Sequence, residues 1–173
     1  MTRNRMLGGL GILALLTAVV ISAAWFVNEA VAAPCLTSAT SSVSEPGSGA
    51  SPQDVARTFV AALNSGDTTT VTAMLAPEEK PRLTNSGLLQ PSYYGNICEI
   101  QNLQIGSVET RRPGDVSPRG YKQNVVVDAT YNLVLKDASD ESAAWYGTSG
   151  KAFVLVRNAD NEPWLIGFMG PIV

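Results

Sequence analysis

Hydrophobic residues recur at two different spacings along the chain, and each spacing predicts a different element. Over residues 51–75, apolar side chains repeat every three or four positions, the period of an amphipathic helix. From residue 97 onward they alternate with polar side chains, the period of a strand with one buried face. The chain is therefore expected to be α+β, with N-terminal helices packed on a curved antiparallel sheet of about four strands.

The helical part carries clear start and stop signals. Ser51 is a favourable N-cap, and Pro52 suits the first position of a helix. The motif Asn64-Ser65-Gly66 predicts the end of this helix, and Asp67 predicts the cap of a second one. A third, short helical piece is expected over residues 83–89.

Four strands are predicted, over residues 97–108, 121–136, 144–158 and 164–169. Strict alternation in the first strand puts Ile97, Leu103 and Ile105 on one face, and Ile100 and Val108 on the other. The second strand has an apolar face consisting of Val125, Val127, Ala129, Tyr131, Leu133 and Leu135. Its other face carries Val126, Asp128, Thr130, Asn132 and Val134. In the third strand, Val154 and Val156 lie opposite Phe153 and Leu155. Consecutive strands joined by loops are expected to pair antiparallel.

An apolar segment precedes the domain. Residues 7–27 include no charged side chain in 21 positions, and a helix of that length, at about 1.5 Å per residue, crosses a hydrocarbon core roughly 30 Å thick. Because Arg3 and Arg5 come before it, residues 1–6 are expected in the cytoplasm and the domain outside it. The alternative is a signal peptide cleaved near Ala32, since Ala30-Val31-Ala32 is a small-residue cleavage motif. The first alternative predicts a single-pass cell-membrane protein, and the second a secreted one.

Residues 28–50 are rich in Ser, Thr, Gly and Pro, the composition of a flexible linker, so the extracytoplasmic domain is predicted to be 51–173. The chain contains two cysteines, Cys35 and Cys98. An even number of cysteines in an exported chain favours a disulfide between them, and the alternative is two free thiols. Pro34 disfavours lipid attachment at Cys35, because such signals have a small residue at that position.

Charge and composition narrow the function classes. Two of the twelve basic residues, Arg3 and Arg5, lie before the apolar segment, so ten basic and fifteen acidic residues follow it, a net charge of −5. A nucleic-acid partner is therefore not expected. The chain has no histidine, so neither a structural zinc site nor a histidine-activated thiol is expected, and no motif implies a cofactor.

Three groups of residues are candidates for function. Asp128 is the candidate general base of an enzyme, provided that its strand face turns into an apolar pocket. The candidate pocket residues are Tyr93, Tyr94, Tyr131, Trp145, Phe153 and Trp164, for which ordinary core packing is the alternative. The third group is the set of basic residues around the loop after the first strand: Arg111, Arg112, Arg119 and Lys122. They are candidates for contact with anionic lipid or an acidic partner, and the alternative is an ordinary solvated turn.

Two helices joined by a short turn, followed by a strand meander that ends in Trp164-Leu165-Ile166, resemble the cone-shaped family of nuclear transport factor 2 and ketosteroid isomerase. The resemblance covers residues 51–173, and residues 51–67 look like the family's first helix and turn. It implies a cone-like (cystatin-like) fold, which hosts enzymes, binding domains and scaffolds alike. No position here matches the base motif of the family's enzymes.

The expected function is that of a membrane-tethered extracytoplasmic binding or scaffold domain without catalytic activity. Residues 7–27 would contact the lipid bilayer, and the expected partner is an envelope protein. Domains of this kind behind a single anchor resemble parts of secretion, conjugation and cell-envelope assemblies. The alternative is a small-ligand-binding domain or an isomerase-like or cyclase-like enzyme that uses Asp128.

Overall fold

The computed structural model describes residues 42–83, 93–116, 118–136 and 149–170. They form α1 (Pro52–Asn64), α2 (Thr68–Met74), a 3-10 helix (Lys80–Leu83), α3 (Tyr93–Asn96), β1 (Ile97–Arg111), β2 (Gln123–Leu135), β3 (Ser149–Arg157) and β4 (Leu165–Gly170). The predicted α+β class is confirmed. Residues 1–41, which include the predicted anchor, and residues 84–92, which include most of the predicted third helical piece, lie outside the described part of the chain.

Both N-terminal helices begin where the sequence predicts. The Ser51 side chain accepts a hydrogen bond from the Asp54 amide at 3.2 Å, and the Asp67 side chain accepts one from the Thr70 amide at 3.0 Å. At the end of α1, the Asp67 amide bonds back to the Ala62 carbonyl, and Gly66 adopts a φ of 69°. This pattern reverses the chain sharply, so a single tight turn joins α1 to the cap of α2.

The four strands form one sheet in the order β1-β2-β3-β4, and each neighbouring pair is antiparallel, as predicted. Residues at the end of α1 and after α2 form hydrogen bonds with both edge strands of the sheet, β1 and β4. The Asn64 side chain donates to the Ile100 carbonyl at 2.9 Å and accepts from the Ile100 amide at 2.7 Å. On the opposite edge, the Ala76 amide donates to the Ile166 carbonyl at 2.9 Å. These contacts satisfy backbone groups that an open edge would leave exposed.

Strand β1 departs from the predicted strict alternation. It carries one more residue than β2 at each of three register shifts, between Ile97 and Glu99, Gln101 and Gln104, and Ile105 and Val108. Asn102 lies in the second of these bulges and adopts a φ of 55°, which asparagine tolerates better than most residues. Each bulge reverses the alternation, so the hydrophobic residues all contact the main core: Ile97, Ile100, Leu103, Ile105 and Val108. The prediction of two alternating faces in β1 is therefore wrong.

The main core lies between α1, α2 and one face of the sheet. Val55 and Phe59 of α1 are buried there together with the apolar face predicted for β2 and with Phe153 and Leu155 of β3. The predicted alternation in β2 and β3 is thus confirmed.

A second, smaller cluster covers the other face of β2, β3 and β4. Val126, Val154 and Val156 are buried in this cluster, and Val116 and Tyr121 from the segment between β1 and β2 pack against it. Gly167 allows close packing at this point, since a Cβ atom there would lie 2.5 Å from the Pro118 Cδ. The segment between β1 and β2 is therefore folded onto the sheet.

No helix in the described part of the chain is long and apolar enough to cross a membrane. The described residues all belong to one compact unit.

Candidate functional site

Asp128, the candidate base, is exposed on the face of β2 opposite the main core. Its carboxylate accepts a hydrogen bond from the Ser107 hydroxyl of β1. A general base in a pocket needs apolar surroundings, and a surface carboxylate paired with serine lacks them. The position of Asp128 therefore favours a solvated cross-strand pair.

The described pocket candidates lie in the main core. Tyr94, Tyr131, Phe153 and Trp164 are each less than one tenth exposed and belong to the same buried cluster. The rings of Tyr131 and Phe153 pack with their centroids 5.6 Å apart, and Tyr94 meets Phe59 edge-on at 5.7 Å. The structure thus brings these four side chains into the core. The Tyr93 side chain and all of Trp145 lie outside the described part.

The Trp164 ring is covered by the side chain of Arg157. The Arg157 guanidinium lies 4.1 Å from the centre of the Trp164 ring, within the range of a cation–π contact. The same guanidinium donates to Gln123 at 2.7 Å and to Asp160 at 3.0 Å. These contacts fix the turn between β3 and β4 against the core.

Cys98 lies in β1 as a half-buried, disulfide-bonded residue. Cys35, the other cysteine of the chain, lies outside the described residues. The pairing of the two therefore stays a prediction.

The domain contains a buried acidic group, Glu79, that the sequence does not predict. Glu79 is only 5% exposed, and its carboxylate accepts a hydrogen bond from the Tyr94 hydroxyl at 3.1 Å. The Arg82 Nε lies 3.5 Å from the same oxygen. Burial raises the pKa of the Glu79 carboxyl, against the opposing effects of Arg82 and Tyr94. Glu79 follows Glu78 in a charged, proline-flanked segment, which by its sequence is typical of a solvated turn.

The end of the predicted linker is attached to the domain. The Val43 amide donates to the second carboxylate oxygen of Asp67 at 2.9 Å, and the Thr70 hydroxyl donates to the Val43 carbonyl at 3.0 Å. Val43 and Ala50 also pack against the main core. We refer to the three residues Val43, Asp67 and Thr70 as the clasp. The hydrogen bond from the Val43 amide is the main cause that lowers the pKa of the Asp67 carboxyl. The folded part of the described chain therefore includes Val43 and Ala50, which precede the predicted start at Ser51.

The basic residues predicted around the loop after β1 divide into two groups. Arg111 lies in β1 and forms an ion pair with Glu109 at 2.8 Å. Arg112, Arg119 and Lys122 are exposed, and within the described ranges none of them forms an ion pair. The loop thus presents three exposed cations that are not neutralised by a described carboxylate.

Metal binding finds no support in the described ranges, where no three acidic or sulfur side chains lie close enough to hold an ion. Comparison with protein-family models, curated proteins and solved structures found no match.

Proposed function

We propose that the chain is a membrane-tethered extracytoplasmic domain that binds or scaffolds an envelope protein and performs no catalysis. The observation that carries this proposal is the burial of Tyr94, Tyr131, Phe153 and Trp164 in the main core. Side chains that fill a core are not free to line a ligand pocket, so recognition has to use the surface. The exposed position of Asp128 supports the same conclusion.

The finer fold belongs to the same proposal. A cone-like, curved sheet with helices on its inner face is supported by the three bulges of β1, because bulges bend a strand and increase its twist. Further support comes from the order of helices and strands, which resembles that of the cone-shaped family.

The proposed location rests on the sequence of residues 1–50. We propose that residues 7–27 anchor the chain in the cell membrane, with the N-terminus in the cytoplasm. Because the clasp starts at Val43, a tether of residues 28–42 would span about 20 Å on average as a random coil. The domain would therefore meet partners close to the bilayer. A mature protein that begins at Ala33 would overturn the anchor and leave a secreted domain.

Site-specific photo-crosslinking in the native host tests the binding function. A photoreactive residue is placed singly in the full chain at four exposed positions on different elements: Arg57, Gln104, Asp115 and Asn161. A binding domain should give a discrete heavier species from some positions and not from others. If every position gives only the uncrosslinked chain, or the same smear, the binding function is wrong.

A further inference from the structure

The loop that joins β1 to β2 is held as a fixed surface. Pro118 packs against Gly167 of β4, and the Tyr121 hydroxyl donates to the Glu78 carboxylate at 3.1 Å. Burial and this hydrogen bond raise the pKa of Tyr121 to about 12, so the hydroxyl keeps its proton over the physiological range. The packing of Pro118 and the hydrogen bond of Tyr121 therefore hold the loop backbone in place, and with it the exposed side chains of the loop.

The charge of this surface is opposite to that of the protein. Arg112, Arg119 and Lys122 are exposed on the loop, which carries one acidic residue, Asp115, and is contacted by a second carboxylate, that of Glu78, so three cations face two anions. The whole chain has a net charge of −3. A positive patch on an acidic protein attracts an acidic surface while the rest of the molecule repels it, which fixes the orientation of docking.

The loop lies far from the point where the chain enters the domain. Asn64 binds Ile100 near the start of β1, and Asn64 precedes the clasp residue Asp67 by three positions. Arg111 lies eleven positions after Ile100 along β1, about 36 Å at 3.3 Å per residue, and somewhat less with the bulges. The loop and the clasp therefore lie toward opposite ends of β1, and the proposed binding of an envelope protein assigns a protein partner to this loop.

We propose that Arg112, Arg119 and Lys122 form a docking surface for an acidic segment of a partner protein. This inference rests on the proposed binding function and adds to it the position of the surface and the charge of the partner. Since exposed charges act mainly on the rate of association, docking should weaken as the salt concentration rises.

The direct test uses the purified full chain in nanodiscs of neutral lipid and a fluorescent peptide of sixteen glutamates as the acidic probe. The docking variant is Arg112→Glu with Lys122→Glu. The control is Arg57→Glu with Lys80→Glu, which changes the net charge equally at exposed positions outside the loop. We expect the docking variant to bind the peptide at least tenfold more weakly than the control does. Equal binding by the two variants would overturn the proposal.

Two further arms separate the other outcomes. In the first arm, vesicles of anionic lipid replace the peptide. If the loop binds the vesicles more tightly than it binds the peptide, the protein partner is wrong and the loop binds lipid. In the second arm, the photoreactive residue at position 115 is combined with each double variant in the host. Loss of the adduct in the docking variant alone supports the proposal. An adduct that persists in both variants refutes the docking surface while leaving the binding function intact.

Discussion

At the scale of single residues, Glu79 couples folding to proton binding. Because burial raises the pKa of its carboxyl, the folded domain holds a proton more tightly than the unfolded chain does. The stabilisation from this proton is fully present below the pKa of the unfolded chain and is lost as the pH rises through the pKa of the folded state. Glu79 should therefore make the domain less stable at neutral pH than in weak acid.

The Glu79→Gln substitution tests this coupling, since glutamine keeps an acceptor for the Tyr94 hydroxyl and does not titrate. We expect the free energy of unfolding of the wild type to fall relative to that of the variant as the pH rises from 4 to 7. Urea unfolding at several pH values measures the difference. Glu99→Gln, at an exposed position of β1, is the control. A difference between wild type and Glu79→Gln that does not change with pH would contradict the expectation.

Gly167 shows how one missing side chain positions a loop. A Cβ atom there would lie 2.5 Å from the Pro118 Cδ and 3.2 Å from a Val156 methyl group, and the proline ring cannot rotate away. Gly167→Ala should therefore destabilise the domain by about 1–3 kcal/mol, the usual cost of overpacking. Thermal unfolding measures this cost. Gly49→Ala, where no heavy atom lies within 4 Å, is the control and should change stability by less than about 0.5 kcal/mol.

At the scale of elements, the sequence predicts best where side-chain contacts are local or periodic. The helix caps at Ser51 and Asp67 follow from their immediate neighbours, and the two faces of β2 follow from strict alternation. In β1 the same logic fails, because its bulges place Ile97 and Ile100 on one face. A bulge is stabilised by pairing with β2 and by burial against the core, and neither is encoded in the local spacing of residues.

The clasp depends on both oxygens of Asp67, one for the Thr70 amide and one for the Val43 amide. Asparagine caps helices about as well as aspartate but has one acceptor oxygen, so Asp67→Asn should keep α2 and weaken the hold on Val43. We expect amide hydrogen exchange at Val43 to speed up by about fivefold while exchange within α2 stays unchanged. Asp54→Asn in α1 is the control. Faster exchange in α2 as well would show that the cap, rather than the clasp, had failed.

The clasp should also respond to acid in the wild type. Because the pKa of Asp67 is lowered in the folded state, its stabilising effect is present above the pKa of the unfolded chain and is lost as the pH falls through the pKa of the folded state. Exchange at Val43 in the wild type should therefore approach that of Asp67→Asn at low pH. This acid response is opposite in direction to that of Glu79.

At the scale of the whole molecule, the class and order of elements and the basic loop after the first strand could be predicted, but the attachment of the linker and the burial of Glu79 could not. Composition separates the linker from the domain by its low hydrophobicity, yet the attachment of Val43 depends on side chains more than twenty residues away. The sequence places Asp128 on a strand, but the exposure of its side chain depends on which face of the sheet α1 and α2 cover. The burial of Glu79 has no local signal: its ion pair with Arg82 is local, but Tyr94, whose hydroxyl donates to the carboxylate, lies fifteen positions away.

The predicted disulfide between Cys35 and Cys98 would attach the linker to the domain at a second point, in addition to the clasp. It would close a loop of 64 residues in the unfolded chain, which the chain-entropy model values at about 4 kcal/mol. In the folded state the clasp already holds Val43, so the disulfide would restrain only the seven residues between Cys35 and Val43. The disulfide should therefore lower the entropy of the folded state only slightly, and most of the stabilisation of about 4 kcal/mol should remain. Reduction should therefore lower the free energy of unfolding of the full chain, in neutral detergent, by about 3–4 kcal/mol. The double variant Cys35→Ala with Cys98→Ala should not respond to reductant. If the wild type also does not respond, the pairing is wrong.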